Sequence, residues 1–166
     1  MEKTWEYSAL MRLVLIFLLA IWPSIKTGAA ADRDVSYYYS APNNIETYKA
    51  RMRTNVNSDR FSRIKIVNMI SAEFNSKSYP ARVSIFVKGS KIDKIIVISL
   101  VDGYLDTIYR ARALLQTMAP IVRNAPLFKD LKGKVFMEFF DLLKISGFKK
   151  ITVSDGKNFS YQVNLR

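Results

Sequence analysis

Residues 81–101 read ARVSIFVKGSKIDKIIVISLV, and this stretch decides the fold. Val and Ile dominate two runs, Ala81–Lys88 and Lys91–Val101, and such β-branched side chains favour a pleated, half-buried surface. Gly89-Ser90 between them suits a two-residue hairpin turn. Ile95–Val101 is apolar on both faces apart from Ser99, the pattern of a strand covered on both sides.

The chain closes on a second hairpin. Phe159, Tyr161, Val163 and Leu165 alternate with Ser160, Gln162, Asn164 and Arg166. Asp155-Gly156 marks the turn. A three-residue loop, Asp155–Lys157, pairs Val153 with Phe159 and Ile151 with Tyr161 and so joins the apolar faces; Gly156 then takes positive φ.

Helical periodicity fills the space before and between the hairpins. Ser58 or Asp59 caps a helix running to about Asn75, with Phe61, Ile64, Val67, Ile70 and Phe74 as its apolar stripe. Asp102 caps a second helix, Tyr104 to about Arg123, with Leu105, Ile108, Leu115, Met118 and Val122 turned inward and Pro120 shortening or kinking its end. Lys134–Ser146 reads as a third helix, apolar around most of its girth through Val135, Phe136, Phe139, Phe140, Leu142 and Leu143, with Gly147 as its C-terminal cap. The expected fold class is α+β: an antiparallel sheet of two hairpins, about four strands, with two to three helices packed mainly on one face.

Outward from this domain, 58–166, lies an arm, 32–57. Tyr37-Tyr38-Tyr39 precedes the turn-forming Ser40-Ala41-Pro42-Asn43-Asn44. Ile45, Tyr48 and Met52 recur at helical spacing and suggest a short helix over Asn44–Arg53. Tyr37, Tyr38 and Tyr39 with the basic cluster Lys49, Arg51 and Arg53 are the candidate binding residues. The arm has few apolar residues and is expected to be mobile alone and to order on a partner.

Residues 1–31 read as a secretory signal peptide. Lys3 and Arg12 supply positive charge, Leu13–Trp22 is an unbroken apolar run, Pro23 ends it, and Ala29 and Ala31 form the A-x-A arrangement. Ten apolar residues fall short of the roughly 20 that cross a bilayer. The mature chain is expected to start near Asp32 and to carry no transmembrane span. Without the three basic and two acidic residues of the leader, 23 basic and 12 acidic residues remain, a net charge of +11. That field attracts anionic partners; export directs the expectation away from nucleic acid and toward envelope proteins, lipid head groups and wall polymers.

The chain contains no histidine and no cysteine. This removes imidazole acid–base catalysis, the Ser-His-Asp triad, the ordinary zinc and copper ligand sets and a lipid-modified N-terminal cysteine. Ser62-Arg63-Ile64-Lys65, Ser154-Asp155-Gly156 and Lys88-Gly89-Ser90 loosely match the three signatures of penicillin-binding enzymes, but in the wrong order and on a chain half the length. Glu138 and Asp141 stand at i and i+3, read as sharing a solvated helix face, and Asp102 reads as a cap. Asn158-Phe159-Ser160 is a sequon within a strand and carries no weight in a bacterial host.

No catalytic residue, metal or cofactor is therefore expected. The sequence favours a non-catalytic interaction or structural module of the periplasm or cell envelope, for instance an accessory subunit of an envelope-spanning assembly such as a secretion system. A basic-surface binder of anionic lipid or wall polymer is the alternative, and a small His-free hydrolase a weaker one.

Overall fold

Five strands form one mixed sheet in the order β1-β5-β4-β3-β2. They are β1 (Asn44–Tyr48), β2 (Val83–Lys88), β3 (Lys94–Ser99), β4 (Lys150–Ser154) and β5 (Ser160–Leu165). The helices are α1 (Arg60–Lys77), α2 (Ile108–Arg123) and α3 (Phe139–Ile145), with 3-10 turns at Pro126–Phe128 and Lys134–Phe136. This is a computed structural model that describes residues 41–51, 56 and 58–166. Residues 1–31, read from the sequence as a signal peptide, Tyr37–Tyr39 and Arg53 lie outside the described residues.

The α+β class stands, but the expected four-stranded antiparallel sheet is corrected. β2–β3 and β4–β5 are antiparallel hairpins, yet β3 pairs parallel with β4, and β1 pairs parallel with β5. The cause of the first change is the long connection through α2 and α3, which returns the chain to the same sheet end as a crossover. The cause of the second is Asn44–Tyr48, expected as helix. Its period-2 content wins: Glu46 and Tyr48 point to the helix side, where their polar tips find partners, and Ile45 and Thr47 to the other.

Strand register follows the apolar parity. Val83, Ile85, Ile95, Val97, Ile151, Val153, Tyr161, Val163 and Leu165 share one face and form a single core with all three helices. The hairpins, however, have longer loops than expected. Val153 pairs with Tyr161 and Ile151 with Val163, two residues beyond the expected partners. Asp155 Oδ1 accepts from the Lys157 and Phe159 backbone amides and so occupies a five-residue loop; Gly156 does take positive φ, at 78°. A two-residue slip preserves which face each side chain meets, so the core is unaffected.

Helix α1 begins on Asp59, whose carboxylate accepts from Ser62 N at 2.7 Å. Its buried positions are Ile66, Val67 and Ile70, a stripe rotated from the expected one, and Phe61 is 77 % exposed. Helix α2 is capped by Thr107, not Asp102, and continues past Pro120 to Arg123. The third helix is shorter than expected: Lys134–Phe136 is a 3-10 turn that leaves Val135 and Phe136 exposed, and α3 starts only at Phe139. Gly147 just beyond α3 has φ 83°, and a Cβ there would stand 2.9 Å from Arg63 Nη1. Arg63 needs that space: it donates to the carbonyls of Ser58, Lys91 and Ile92 and ties α1 to the β2–β3 loop.

Candidate functional site: a groove between two helices

α1 and α2 lie side by side on the sheet, and a hollow of about 910 Å³ opens between them. Val83, Leu105 and Leu114 form its buried floor. Phe74 of α1, Ala113 and Ile121 of α2, and Tyr104 of the β3–α2 loop form its walls. A shallower hollow of about 660 Å³ shares Glu73, Lys77, Thr117 and Ile121 and extends the groove along the seam to Met69, Ala72, Pro120 and Asn124.

The charged rim is mostly self-neutralised. Lys77 pairs with Glu73 at 2.6 Å, Asp102 with Lys157 at 2.8 Å, and Arg110 with Asp106 at 2.8 Å and with the Gly103 carbonyl. The Asp102 carboxylate holds the Lys157 ammonium above its usual pKa. Arg82 differs. Its guanidinium stands 5.8 Å over the Tyr104 ring and makes no ion pair among the described residues. An arginine stacked on an aromatic face keeps its planar donor fork for an outside carboxylate or phosphate. Val101 of the lining is partly exposed, and Tyr79, Leu100 and Tyr109, each next in sequence to a lining residue, are exposed as well.

The edge of the sheet opposite β2 is built differently. On α3, Glu138 and Asp141 form a reciprocal cap, Asp141 Oδ2 accepting from Glu138 N at 3.2 Å. Asp141 also accepts from Tyr48 Oη at 3.1 Å and Arg51 N at 2.9 Å, while the Arg51 guanidinium pairs with Glu138 at 2.9 Å. Asp141 is only 2 % exposed, so of the expected solvated acid pair Asp141 is corrected to a buried clamp on β1, while Glu138 stays partly exposed. Burial, then the negative charge of Asp141, pushes the Tyr48 phenol well above its usual range. Further along β1, Glu46 accepts from Tyr161 Oη at 2.5 Å and pairs with Arg112 at 2.5 Å. The Tyr161 hydrogen bond and then the Arg112 contact hold the Glu46 carboxyl below its usual pKa, and burial raises the Tyr161 phenol.

These contacts sort the candidate binding residues. Arg51 is spent on Glu138, and Lys49 is exposed beside it. Tyr37, Tyr38, Tyr39 and Arg53 lie outside the described residues, so the structure brings none of the other candidates together. Sequence reasoning missed Arg82, Tyr104 and Leu114. The signal available was the cationic and aromatic cluster Lys77–Arg82 around the Tyr79-Pro80 break. Ser62 and Lys65 share α1, but Ser62 sits in the first turn against Asp59 and Ser154 lies in β4, so the loose signature tripeptides are scattered over the fold. Among the described residues no three carboxylates converge as a metal site would require, and no helix is long and apolar enough to cross a membrane. Comparisons with protein-family models, curated proteins and solved structures find no match for the chain.

Proposed function

We propose that the chain is a non-catalytic interaction module of the periplasm or cell envelope. Its groove between α1 and α2 takes an apolar peptide segment bearing a carboxylate, supplied by another envelope protein. The observation that carries this reading is Arg82, stacked on Tyr104 and without an acidic partner among the described residues, at the mouth of an apolar groove. The hollow falls within the roughly 300–1,000 Å³ range of ligand sites, with apolar lining and few polar groups. Exposed Tyr79, Leu100 and Tyr109 extend the contact beyond the groove, as aromatic anchors do at protein interfaces. The carboxylates on the helix side serve as caps and ion-pair partners, which supports a structural use for them. The compartment rests on residues 1–31 as an export signal, and an accessory place in a multi-subunit envelope assembly is the setting.

An array of peptides drawn from envelope proteins, probed with the wild-type chain and with Arg82→Glu, tests the reading. Apolar peptides with an acidic residue should bind the wild type in the micromolar range and lose at least about tenfold on Arg82→Glu, the size of one charge-assisted contact. A blank array together with tight, salt-sensitive binding to phosphatidylglycerol vesicles would transfer the groove to the lipid reading.

A further inference from the structure

The groove mouth sits where β2 begins and β3 ends, and its acids and cations largely pair off. The opposite end of the sheet is built of other charges. Register puts the last residues of β1, β2 and β5 and the first of β3 and β4 there. Arg63 ties the start of α1 to the same end by donating to the Lys91 and Ile92 carbonyls. Lys49, Arg60, Lys91 and Arg166 are exposed, Lys88 is partly so, and none of the five has an ion-pair partner among the described residues. The carboxylates nearby are engaged: Asp93 with Lys149, Glu138 with Arg51, Asp59 with Ser62 N, and Asp141 in its buried clamp. Two aromatic rings stand in this region as well. Phe61, beside Arg60 in the first turn of α1, is 77 % exposed, and Phe136, two residues before Glu138, is 89 % exposed with Val135 next to it. Neither ring joins the apolar core. α3 links the two places: Glu138 before it pairs with Arg51, just past β1, and the Ser146 carbonyl after it accepts from Ser58 Oγ at 2.6 Å, just ahead of α1.

We propose that this end docks on an anionic lipid bilayer, with Phe61 and Phe136 entering the boundary between head groups and acyl chains and the cations around them meeting lipid phosphates. The two halves of the chemistry select the partner together. Unpaired basic side chains are drawn to an anionic lipid surface, each adding to the attraction. Exposed aromatic rings gain apolar burial at the bilayer boundary, which a soluble polyanion does not offer them. The long stems of Lys88, Lys91 and Arg60 let their charged heads reach phosphates while the rings go deeper. Docked this way, the chain turns the groove mouth, with Arg82 and Tyr109, away from the lipid and leaves it open. The proposal does not depend on what the groove binds.

The chain has no cysteine, so one introduced cysteine carries a nitrobenzoxadiazole label at a single position. In the full chain, a label at Val135→Cys should brighten and shift to the blue on equimolar phosphatidylglycerol–phosphatidylcholine vesicles and not on phosphatidylcholine alone. A label at Tyr109→Cys, at the groove end, should not respond. Label position reads which end meets lipid, whatever residues 13–22 bind. Lys88→Glu with Lys91→Glu should raise the lipid concentration for half the Val135 response at least about tenfold, the effect of two cations at an anionic surface. Phe61→Ser, at an exposed site outside the core, should raise it about fivefold through lost apolar burial. A silent Val135 label would overturn the proposal, as would an equal response on neutral vesicles or one indifferent to the Lys88→Glu and Lys91→Glu pair. The same brightening with soluble polyphosphate would overturn it in favour of a polymer, and brightening at Tyr109 would move the lipid contact to the groove.

Discussion

The two faces of one sheet are closed by different means. On the helix side, Ile95, Val97, Ile151, Val153 and Val163 meet a thick apolar layer from α1, α2 and α3. On the other side, the same strands offer two isoleucines and a phenylalanine framed by hydroxyls, an amide and lysines. A strand buried on both faces need not be symmetric in what buries it. Among the described residues the helix side holds most of the apolar core, and the second side is the more polar of the two.

The sharpest way to break this comparison is to cut the same volume from each face. Leu115→Ala in the helix layer should cost about 3–4 kcal/mol, since a fully buried leucine leaves a cavity its neighbours fill only in part. Chemical denaturation would measure it. Loss of Asp141 should come next: Asp141→Ala leaves Tyr48 Oη and two backbone amides without their acceptor, at about 2–3 kcal/mol. Ile96→Ala should cost less, about 2 kcal/mol, because among the described residues its cluster has two buried members. If Ile96→Ala matched or exceeded Leu115→Ala in the same denaturation series, the faces would be energetic equals and the asymmetry would fail.

The smallest expected effect concerns pH. Glu46 has a folded pKa below its unfolded value, so the unfolded chain binds more protons in that window and stability falls with acid. The contribution is complete above the unfolded carboxylate pKa of about 4.3 and disappears as pH drops through the depressed folded value. Glu46→Gln should therefore be less stable than wild type at pH 7, by less than about 1 kcal/mol because the site is partly solvated, and should show a shallower loss between pH 5 and pH 3. Parallel urea midpoints for the two chains across that range would show it, and identical slopes would remove Glu46 from the β1 clamp.

How much of this was legible depended on the range of the interaction. Asp59 as cap, Val67 and Ile70 as core and Gly147 as terminator are local facts, set by a few neighbouring residues, and the structure has them. The sheet order was not legible, because whether β3 pairs with β4 depends on how α2 and α3 return the chain, and Ile45/Tyr48/Met52 carries a helical period by coincidence. The groove was hidden for a related reason. Leu114, Phe74 and Arg82 are ordinary residues until the fold brings them together around one hollow, and no periodicity reports a gap between neighbouring elements.

In-cell photocrosslinking compares the two faces directly. A photoreactive residue at Thr117 in the groove and another at Thr47 on the far side of β1 sample both in the same protein. Thr117 should give a discrete adduct with another envelope protein, lost when Arg82→Glu is added, while Thr47 gives none. Adducts from Thr47 alone, or a Thr117 adduct indifferent to Arg82→Glu, would contradict the groove as the binding face.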